Sequence, residues 1–472
     1  MRSVLKWIAG IVGVVVVLGG LGYGAFQLML AHFYPDPPAK DYPKPHSALE
    51  AQQQDLDYFR KLVALDFSFS PEARAEANRR IDALERASDV LPKPMFRVAL
   101  MQVLALADNG HTTSSSDPDA YPLYLPVRVA MFSDGVHVMY AKNEDAALLG
   151  GRLIAVDGHP IDEVMHKLEA IRGGAPQFRR YYAGVFLQMQ DVLHGLGIAP
   201  DADKSTWTVE TPDGRRVSAT LTAYKRLRVE PAPFPERWFS NERLKGLDKG
   251  WQAYDPGKTL PIALRDFDTP FRRFWIGDTC TLAIQLKSNT DEDGAKIADF
   301  LAATDKEMAA RKPCEIVFDN RFNGGGDYTK TADFAHALPD ALRPGGHIYL
   351  LTGPSTFSAG ITTTTFIKQA GGDRVKILGE EVGDRLQFFA EGRRACLPNY
   401  HICMYYQRGK HDYQHPCRDV EKCFWLNWYY GPRVKSLDPD ETIAMSFADW
   451  QAGRDPVFDR AVQLAAQNPP SP

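Results

Sequence analysis

Runs of apolar residues alternate with helically spaced ones from about residue 272 onward, and this pattern predicts repeated strand–helix units. The apolar runs predict strands at Thr281–Leu286, Cys314–Asp319, His347–Thr352 and Arg374–Gly379. The segments between them have helical spacing and predict helices at Asp291–Arg311, Tyr328–Leu338 and Ile361–Ala370. Strands joined by helices in this way form a mainly parallel sheet, in which functional loops follow the strand ends.

The first half of the chain divides into a helical region and a β-rich region. Helical spacing covers residues 48–107. Residues 121–228 contain short, alternating strand-like runs, tight turns and one helix at Ile161–Ile171. Residues 229–268 are rich in proline, tryptophan and charge, and we interpret them as an irregular connector to the strand–helix units.

The N-terminal segment is uncharged from Trp7 to Leu30, which is long enough to span a bilayer as a helix. Arg2 and Lys6 precede it and predict a cytoplasmic N-terminus. A cleaved signal peptide is the alternative, but it usually has a shorter apolar region and an A-x-A-like site, so the pattern favours an uncleaved anchor. Residues 34–45 predict an extended linker. The body of the protein is then expected outside the cytoplasm, in the periplasm if the source is bacterial.

The composition is that of a globular protein with more than one core. The chain has 472 residues, of which 44% are hydrophobic and 24% are charged. A chain of this length is expected to form two or three domains. The formal net charge of −4 gives no support for a nucleic acid as partner.

The six cysteines fit an oxidising compartment and are expected to form disulfides. Cys280 lies just before one predicted strand and Cys314 begins the next. If the helix between them is a right-handed crossover, the two strands run parallel as neighbours. Their first residues would then lie about 5 Å apart, within the Cα range of a disulfide. Short turns separate the other cysteines, so the predicted pairs are Cys280–Cys314, Cys396–Cys403 and Cys417–Cys423.

Ser358 lies where the strand His347–Thr352 turns into the helix Ile361–Ala370, within the sequence G-P-S-T-F-S-A-G. Such a turn can expose a hydroxyl, and the free N–H groups of a helix N-terminus can stabilise negative charge beside it. Taken alone, however, Ser355, Thr356 and Ser358 are most simply explained as helix caps.

A glycine-rich loop, D-N-R-F-N-G-G-G-D, follows the strand Cys314–Asp319. Glycine lets the backbone approach a ligand closely and point N–H groups at it. The loop lacks the lysine and hydroxyl of a phosphate-binding loop, which argues against that function. An anion hole for a developing oxyanion needs such amides near the nucleophile. The alternative is a flexible turn.

Four features together resemble the tail-specific protease and tricorn-core serine peptidases, in the same order along the chain. They are N-G-H-T at 109–112, a PDZ-like stretch at 147–161, D-N-R-F-N-G-G-G at 319–326 and S-T-F-S-A at 355–359. Glu380 and Gly383, within G-E-E-V-G, extend a match that covers about residues 90–445. The resemblance implies a crotonase-like core, a PDZ-like module that binds chain ends by strand addition, and Ser358 as nucleophile.

The family divides by the residue that serves as base. The tail-specific branch uses a lysine after G-E-x-x-x-G, where this chain has Asp384 and Arg385, and arginine cannot act as a base at ordinary pH. Lys368 and Lys376 do not fit the family position. The tricorn-like branch uses a histidine from an upstream loop, and His111 matches that place. The resemblance therefore implies His111 as the base.

The acid that orients His111 is left open. Tricorn-like enzymes place a glutamate shortly before a G-V-x-P-D stretch, and no glutamate closely precedes the comparable residues 434–440. We favour Asp384, with Glu391 and Asp108 as alternatives. All three are otherwise explained as ordinary surface carboxylates.

The expected function is that of a membrane-anchored serine endopeptidase that acts on protein or peptide substrates and needs no cofactor or metal. His111 would take the Ser358 proton as the hydroxyl attacks a peptide carbonyl, and would then protonate the leaving amine. Backbone N–H groups near Gly325 and Ala359 would stabilise the oxyanion.

The predicted fold class is an α/β, crotonase-like core with an N-terminal helical region, a PDZ-like β-rich domain and a single transmembrane helix. The predicted divisions are a cytoplasmic stub and anchor (1–33), a linker (34–45), a helical region (46–118), a PDZ-like domain (119–228), a connector (229–268), the peptidase core (269–450) and a tail (451–472).

Two other interpretations remain open from the sequence. A catalytically inactive relative could keep this fold and bind a peptide or lipid in the periplasm, which the missing tricorn-type glutamate favours. A zinc protein is the other, because several potential ligands are close in sequence. They are Cys396, Cys403, His411, His415, Cys417 and Cys423. Their spacing is not that of C-x-x-C pairs, and the expected compartment favours disulfides.

Overall fold

The computed structural model describes residues 2–116, 123–292 and 294–467 of a mixed α/β protein. Its helices are α1 (Arg2–Phe33), α2 (Ala48–Leu65), α3 (Pro71–Glu85), α4 (Lys93–Leu104), α5 (Ile161–Glu169), α6 (Pro176–Phe186), α7 (Gln190–Gly195), α8 (Ile297–Arg311), α9 (Ala332–Ala337), α10 (Ala359–Gly371), α11 (Leu426–Tyr430), α12 (Phe447–Gln451) and α13 (Pro456–Gln467). Its strands are β1 (Thr113–Ser116), β2 (Leu123–Tyr124), β3 (Val127–Phe132), β4 (Gly135–Lys142), β5 (Arg152–Val156), β6 (His159–Pro160), β7 (Lys204–Glu210), β8 (Arg216–Thr222), β9 (Tyr224–Lys225), β10 (Trp251–Ala253), β11 (Phe271–Trp275), β12 (Thr281–Leu286), β13 (Glu315–Asp319), β14 (Ile348–Thr352), β15 (Val375–Gly379), β16 (Gln387–Cys396), β17 (Ile402–Asp412) and β18 (Glu441–Thr442).

The apolar N-terminal run, Trp7–Leu30, is helical as part of α1. Across the described ranges, however, no helix has the combined length and apolarity needed to cross a membrane. The predicted transmembrane anchor was therefore wrong, and so was the localisation that we inferred from it. The segment after α1 packs on the body of the protein, where Tyr406 donates a hydrogen bond to Pro35 O (2.6 Å) and Tyr58 donates one to Pro38 O (3.0 Å).

The N-terminal helices α2, α3 and α4 pack together against the long hairpin β16–β17. Ser70 caps α3, and its Oγ accepts a hydrogen bond from Ala73 N–H (3.1 Å). The apolar faces of the helices share one core with β16 and β17, in which Phe59, Phe96 and Tyr406 are almost fully buried. The strand β1, which follows α4, pairs antiparallel with β17 and completes this sheet.

A β-rich domain, residues 123–225, lies between the helical region and the main sheet. Its strands are ordered β10-β4-β5-β7-β8, with β3 paired to β4. The helices α5, α6 and α7 pack on one side of this sheet around a core that includes Trp207 and Leu168. The antiparallel β7–β8 hairpin has the pattern of buried and exposed positions that the alternating sequence predicts.

The main sheet has the order β11-β12-β13-β14-β15-β18, and the strands from β12 to β18 are parallel. Every residue of β12, β13 and β14 is buried, which explains why these strands appear in the sequence as nearly continuous apolar runs. Because parallel strands end at one edge of a sheet, the loops after β13, β14 and β15 lie together. These loops carry the glycine-rich segment, Ser358 and Asp384.

The helix after β12 begins later than the sequence predicted. α8 starts at Ile297 rather than at Asp291. Before that start, Asn289 N–H donates to Gly325 O (2.8 Å) in the glycine loop. Asp291 instead accepts a hydrogen bond from Ile297 N–H (3.1 Å), so it stabilises the start of the helix from outside it.

The six cysteines form three disulfides: Cys280–Cys314, Cys396–Cys403 and Cys417–Cys423. These are the three pairs that the sequence predicted. The Cα atoms of Cys280 and Cys314 are 5.4 Å apart at the starts of neighbouring parallel strands. Oxidised cysteines cannot serve as thiolate ligands, so the zinc interpretation fails. Disulfides of this number are typical of extracytoplasmic proteins.

Candidate active site

Ser358 occupies the turn between β14 and α10 with an unusual backbone conformation. Its φ of 51° and ψ of −122° lie in a region that residues with a Cβ rarely adopt. A strained strand–turn–helix corner of this kind exposes the nucleophile in α/β-hydrolases. The Ser358 side chain forms no cap hydrogen bond with α10, so its explanation as a helix cap does not hold.

The other hydroxyls of the turn hold it in place. Ser355 Oγ donates to Arg321 O (2.7 Å), and Thr356 Oγ1 donates to Asn320 O (2.8 Å). Both bonds join the turn to the loop that follows β13. The strained serine between these anchors and α10 is half-exposed, which leaves its hydroxyl in a rigid frame that solvent can reach.

The glycine loop lies directly against this turn. A Cβ added at Gly325 would lie 2.7 Å from Ser358 Cβ and 3.1 Å from the Ala359 nitrogen. Gly325 also has a φ of 112°, so this position requires glycine both for space and for conformation. The loop backbone therefore approaches Ser358 as closely as an oxyanion hole requires.

The N–H groups of Ala359 and Gly325, the two predicted oxyanion donors, differ in whether they already donate a hydrogen bond. Ala359 N–H lies in the first turn of α10 and donates to no acceptor in the described part of the chain. Gly325 N–H donates to Asn323 Oδ1 (3.0 Å) and is already engaged. Ala359 thus presents a free N–H donor next to Ser358. In this geometry Gly325 lets the loop backbone approach Ser358 closely but offers no free N–H.

His111 lies in the N-G-H-T loop between α4 and β1, and this loop is fixed on both sides. Asn109 Nδ2 donates to Phe389 O (2.9 Å), and Phe389 N–H donates back to Asn109 Oδ1 (3.0 Å). Thr112 Oγ1 donates to Asp66 Oδ2 (2.9 Å) at the end of α2. The polar residues around His111 therefore join the helical region to β16 of the three-stranded sheet.

The imidazole of His111 is enclosed by aromatic rings. It stacks between Phe357 and Phe388, with ring centroids 4.3 and 5.3 Å away. Neither ring nitrogen has a hydrogen-bond partner among the described residues. Burial lowers the pKa of His111 to about 3, so the ring is neutral at pH 7 and has a lone pair with which to accept a proton.

Asp384 is the carboxylate that faces His111. Its Oδ2 lies 4.0 Å from His111 Nδ1 and is without a hydrogen-bond partner within the described ranges. Burial raises the pKa of Asp384 to about 7. The two groups do not hydrogen bond at this separation, and an approach of about 1 Å would bring them into range. Catalytic hydrogen bonds often tighten in this way only when substrate binds.

The two alternative acids have other partners. Asp108 forms an ion pair with Arg385 (2.8 Å) and accepts a second bond from it at its backbone carbonyl (2.9 Å). Glu391 lies 3.4 Å from His411 Nε2 and accepts a hydrogen bond from the Tyr34 hydroxyl. Of the three carboxylates proposed from the sequence, the structure thus brings Asp384 to His111.

The lysines considered as bases lie elsewhere. Lys368 Nζ donates to Val375 O (2.7 Å) near the end of α10, about 15 Å along the helix from its start. Lys376 is exposed on β15. Arg385, at the family position of the lysine, is engaged by Asp108. Of the bases considered from the sequence, His111 lies nearest in contact terms, because it stacks on Phe357, the residue before Ser358.

Three open cavities adjoin the Ser358 turn. One, of about 250 Å³, is lined by Gly353, Pro354 and Ser355 of the turn itself. Of the other two, the smaller, of about 340 Å³, is lined by His111, Arg172, Phe357 and Glu391 among others. The larger, of about 840 Å³, is bordered by Gly325 and by residues of the connector.

Two residues at these cavities were missed in the sequence. Lys287 lines the larger cavity, and burial lowers its pKa to about 7. Its position directly after the mostly apolar run of β12 was the available signal. Arg172 lines the smaller cavity and is buried beside His111. Its signal was weaker, since an arginine at the end of an amphipathic helix is usually a surface residue.

No protein-family model matches the chain, and no curated protein is significantly similar to it. Solved structures of CPAF do resemble it. Mature CPAF complexed with lactacystin has a TM-score of 0.57 at 13% identity, over 89% of this chain and 99% of that one. Mature CPAF without that compound gives 0.57 at 14% identity over 89% and 98% of the two chains, and a CPAF point mutant gives 0.59 at 11% over the same shares.

This chain shares its fold with mature CPAF. The likeness extends over nearly the full length of both proteins. The photosystem II D1 C-terminal processing protease is a more distant structure, with a TM-score of 0.38 at 12% identity over 83% of this chain and 93% of that one. The likeness to mature CPAF is therefore one of fold. At such identities these likenesses establish no mechanism, and the histidine-based branch is not confirmed by them.

Proposed function

We propose that the chain is a serine peptidase that hydrolyses protein or peptide substrates through an acyl-enzyme on Ser358. The observation that carries the proposal is the strained conformation of Ser358 beside the glycine loop. Strain of this kind is retained where the surrounding structure enforces it, and it concentrates at active sites. The motif resemblance and the shared fold with CPAF support the same class of activity.

In the proposed mechanism His111 accepts the Ser358 proton and later donates it to the leaving amine. The low pKa of His111, caused by its burial, keeps it unprotonated at neutral pH. Asp384, 4.0 Å away, closes on Nδ1 when substrate binds and stabilises the imidazolium that forms. The Ala359 N–H stabilises the oxyanion, and one such donor typically contributes about 3 kcal/mol to lowering the barrier.

A second candidate is a non-catalytic protein that binds peptides in the same cleft. The observation that favours it is the 4.0 Å gap between His111 and Asp384, which leaves the histidine without an orienting hydrogen bond. The two candidates differ in one outcome, since a binding protein would retain peptide affinity and release no product.

Hydrolysis of fluorescein-labelled casein tests the proposal. Ser358→Ala and His111→Ala should each abolish release of fluorescent peptides, and to a similar degree, because the pair acts as a unit. Ser218→Ala is the control, since Ser218 is exposed on β8 and takes no part in the turn. Equal rates for Ser358→Ala and wild type would refute the proposal, whereas binding without cleavage by wild type would favour the second candidate.

A further inference from the structure

The connection between α5 and α6, at residues 170–175 of the β-rich domain, packs against the loop that carries His111. A Cβ added at Gly173 would lie 2.9 Å from Asn109 N and 3.2 Å from Asp108 Cα. One added at Gly174, whose φ is 104°, would lie 3.0 Å from Gly110 Cα. The two backbones therefore touch without intervening side chains, so a shift of one displaces the other.

Arg172 holds the His111 loop at two points. Its Nη2 donates to Gly110 O (2.6 Å), and its Nη1 donates to Thr113 Oγ1. Gly110 precedes the histidine directly and Thr113 follows it two residues later, so the guanidinium spans the segment that carries the imidazole. A planar group with fixed donors can fix two acceptors in this way, which a single ammonium cannot.

Arg172 forms no contact salt bridge within the described ranges. The residue is 4% exposed, and its guanidinium lies 3.9 Å from the Tyr182 ring centroid and 5.3 Å from that of Phe178. Asp384 stabilises its charge at longer range, yet burial still lowers the pKa of Arg172. Burying a cation without a contact ion pair is costly, and the guanidinium donates to the histidine loop instead of to a carboxylate.

The same segment contacts the other two catalytic elements. Gln177 Nε2 donates to Val382 O (2.7 Å) in the loop that carries Asp384. Phe178 stacks on Phe357, with ring centroids 4.1 Å apart and planes 8° from parallel. Phe357 in turn directly precedes Ser358. Residues 172–178 of the β-rich domain thus touch the histidine loop, the acid loop and the nucleophile turn.

From these contacts we infer that Arg172 is a positioning residue of the peptidase, which sets the orientation of His111 toward Ser358 through Gly110 and Thr113. The inference rests on the proposed function, because it assigns a role within the same site. It also makes the β-rich domain a part of the catalytic unit, since the arginine belongs to that domain and its acceptors do not.

Arg172 also acts on His111 through its charge. Four charged or titratable groups face the imidazole: Arg172 and His411 disfavour its protonation, Glu391 favours it, and Asp384 lies 4.0 Å away. Removing the cation should raise the pKa of His111, so the acid limb of the activity profile should move to higher pH. Replacing an arginine with a purely structural role would leave the acid limb of the pH–activity profile where it is.

Three arginine variants of the full chain test the inference: Arg172→Met, Arg172→Lys and, as control, Arg216→Met. Arg216 is exposed on β8 of the same domain. With fluorescein-labelled casein, Arg172→Met should lower kcat about 10–100-fold, the range expected for a misplaced catalytic group. KM should change much less, and the acid limb should shift upward. Arg172→Lys should keep the limb near its wild-type position while kcat stays reduced, and Arg216→Met should behave as wild type.

A readout besides activity separates this inference from the proposed function. Imidazole NMR signals of His111, assigned by their loss in His111→Ala, should shift and titrate at higher pH in Arg172→Met. That result would support the positioning role even if no variant cleaved casein. Unchanged His111 signals and kcat in Arg172→Met would overturn the inference. If Arg172→Met does not fold, wild-type kcat and signals in Arg172→Lys would overturn it equally.

Discussion

At the scale of single residues, Ser358 has a conformation that glycine would adopt more easily. Its φ of 51° and ψ of −122° cost a residue with a Cβ on the order of 1–3 kcal/mol. The hydroxyl does not repay that cost as a helix cap. Serine at this position is therefore best explained by the chemistry of its hydroxyl, and the hydrogen bonds of Ser355 and Thr356 maintain the strain.

Asp384 provides a test of the acid assignment through the pH dependence of stability. Burial raises its folded pKa to about 7, whereas an unfolded aspartate titrates at about 3.9. Between these values the native state binds more protons than the unfolded state, so this group lowers the free energy of unfolding as the pH rises from about 4 to 7. The stability that depends on a protonated Asp384 is complete below about pH 4.

We predict that Asp384→Asn loses at least tenfold in kcat and gains stability relative to wild type as the pH rises. The gain between pH 5 and pH 8 should be on the order of 1–3 kcal/mol, because the variant has no carboxyl to ionise. Urea unfolding at both pH values measures it. Asp108→Asn is the control, since that carboxylate is exposed and paired with Arg385. If the stability difference between Asp384→Asn and wild type did not change with pH, or if the variant were fully active, the assignment of Asp384 as the acid would be wrong.

At the scale of elements, the glycine loop and the Ser358 turn form one unit. Gly325→Ala should reduce hydrolysis more than about 100-fold, because its Cβ would lie 2.7 Å from Ser358 Cβ and small displacements at a reacting centre have effects of this size. Gly324→Ala is a matched control, since a Cβ there meets nothing within 4 Å. Steady-state hydrolysis of labelled casein compares them. Similar rates for the two variants would contradict the close packing described here.

The sequence predicted the bounds of a strand most accurately where both faces of that strand are buried. Thr281–Leu286 forms β12 with the predicted bounds, since a continuous apolar run suits a parallel strand between two layers. The start of α8 was missed because Glu292 and Ala295 exchange backbone hydrogen bonds with each other and Asp291 accepts one from Ile297 N–H, and these contacts compete with helical hydrogen bonding. Propensity sets elements only where tertiary contacts do not compete.

The candidate site was predicted less completely than the strands, because its residues come from segments that are distant in sequence. The motifs placed Ser358 and His111 in a candidate site, but the choice among three carboxylates depended on contacts across about 270 residues of sequence. Asp108 looked suitable beside His111 in sequence, yet its side chain pairs with Arg385. The fold sets the direction in which a side chain points, so two residues that are adjacent in sequence need not face each other.

At the scale of the whole molecule, the Cys280–Cys314 disulfide and the site lie at opposite edges of the main sheet. The two cysteines precede β12 and β13, whereas Ser358 and the glycine loop follow the ends of parallel strands. Replacing both cysteines with alanine should lower the free energy of unfolding by about 4 kcal/mol, as expected for a sequence separation of 34. The kcat/KM at 25 °C should stay within about twofold of wild type.

Thermal unfolding and casein hydrolysis of the double variant check both expectations. Cys417→Ala with Cys423→Ala is the comparison, because that disulfide closes a sequence separation of 6 against 34 and should stabilise less. If the variant that lacks Cys280 and Cys314 lost activity but kept its stability, the claim that this disulfide is remote from the site would be wrong.

The largest error also concerns the whole molecule. An uncharged run at Trp7–Leu30 predicted a membrane anchor, and the described residues contain no helix that meets the requirements of a membrane span. The contact of the β-rich domain with the histidine loop was likewise beyond the sequence. Arg172 reaches Gly110 across 62 positions, and only the assembled domains bring them together.

The central claim is that Ser358 is a nucleophile, and labelling with a fluorophosphonate probe tests it most directly. Intact mass and peptide mapping should show one adduct per chain, on the peptide that contains Ser358. Ser358→Ala should abolish the adduct, His111→Ala should slow its formation greatly, and Ser218→Ala, on the exposed face of β8, should label as wild type does. A wild-type protein that is folded and remains unlabelled, or an adduct on another residue, would contradict the account.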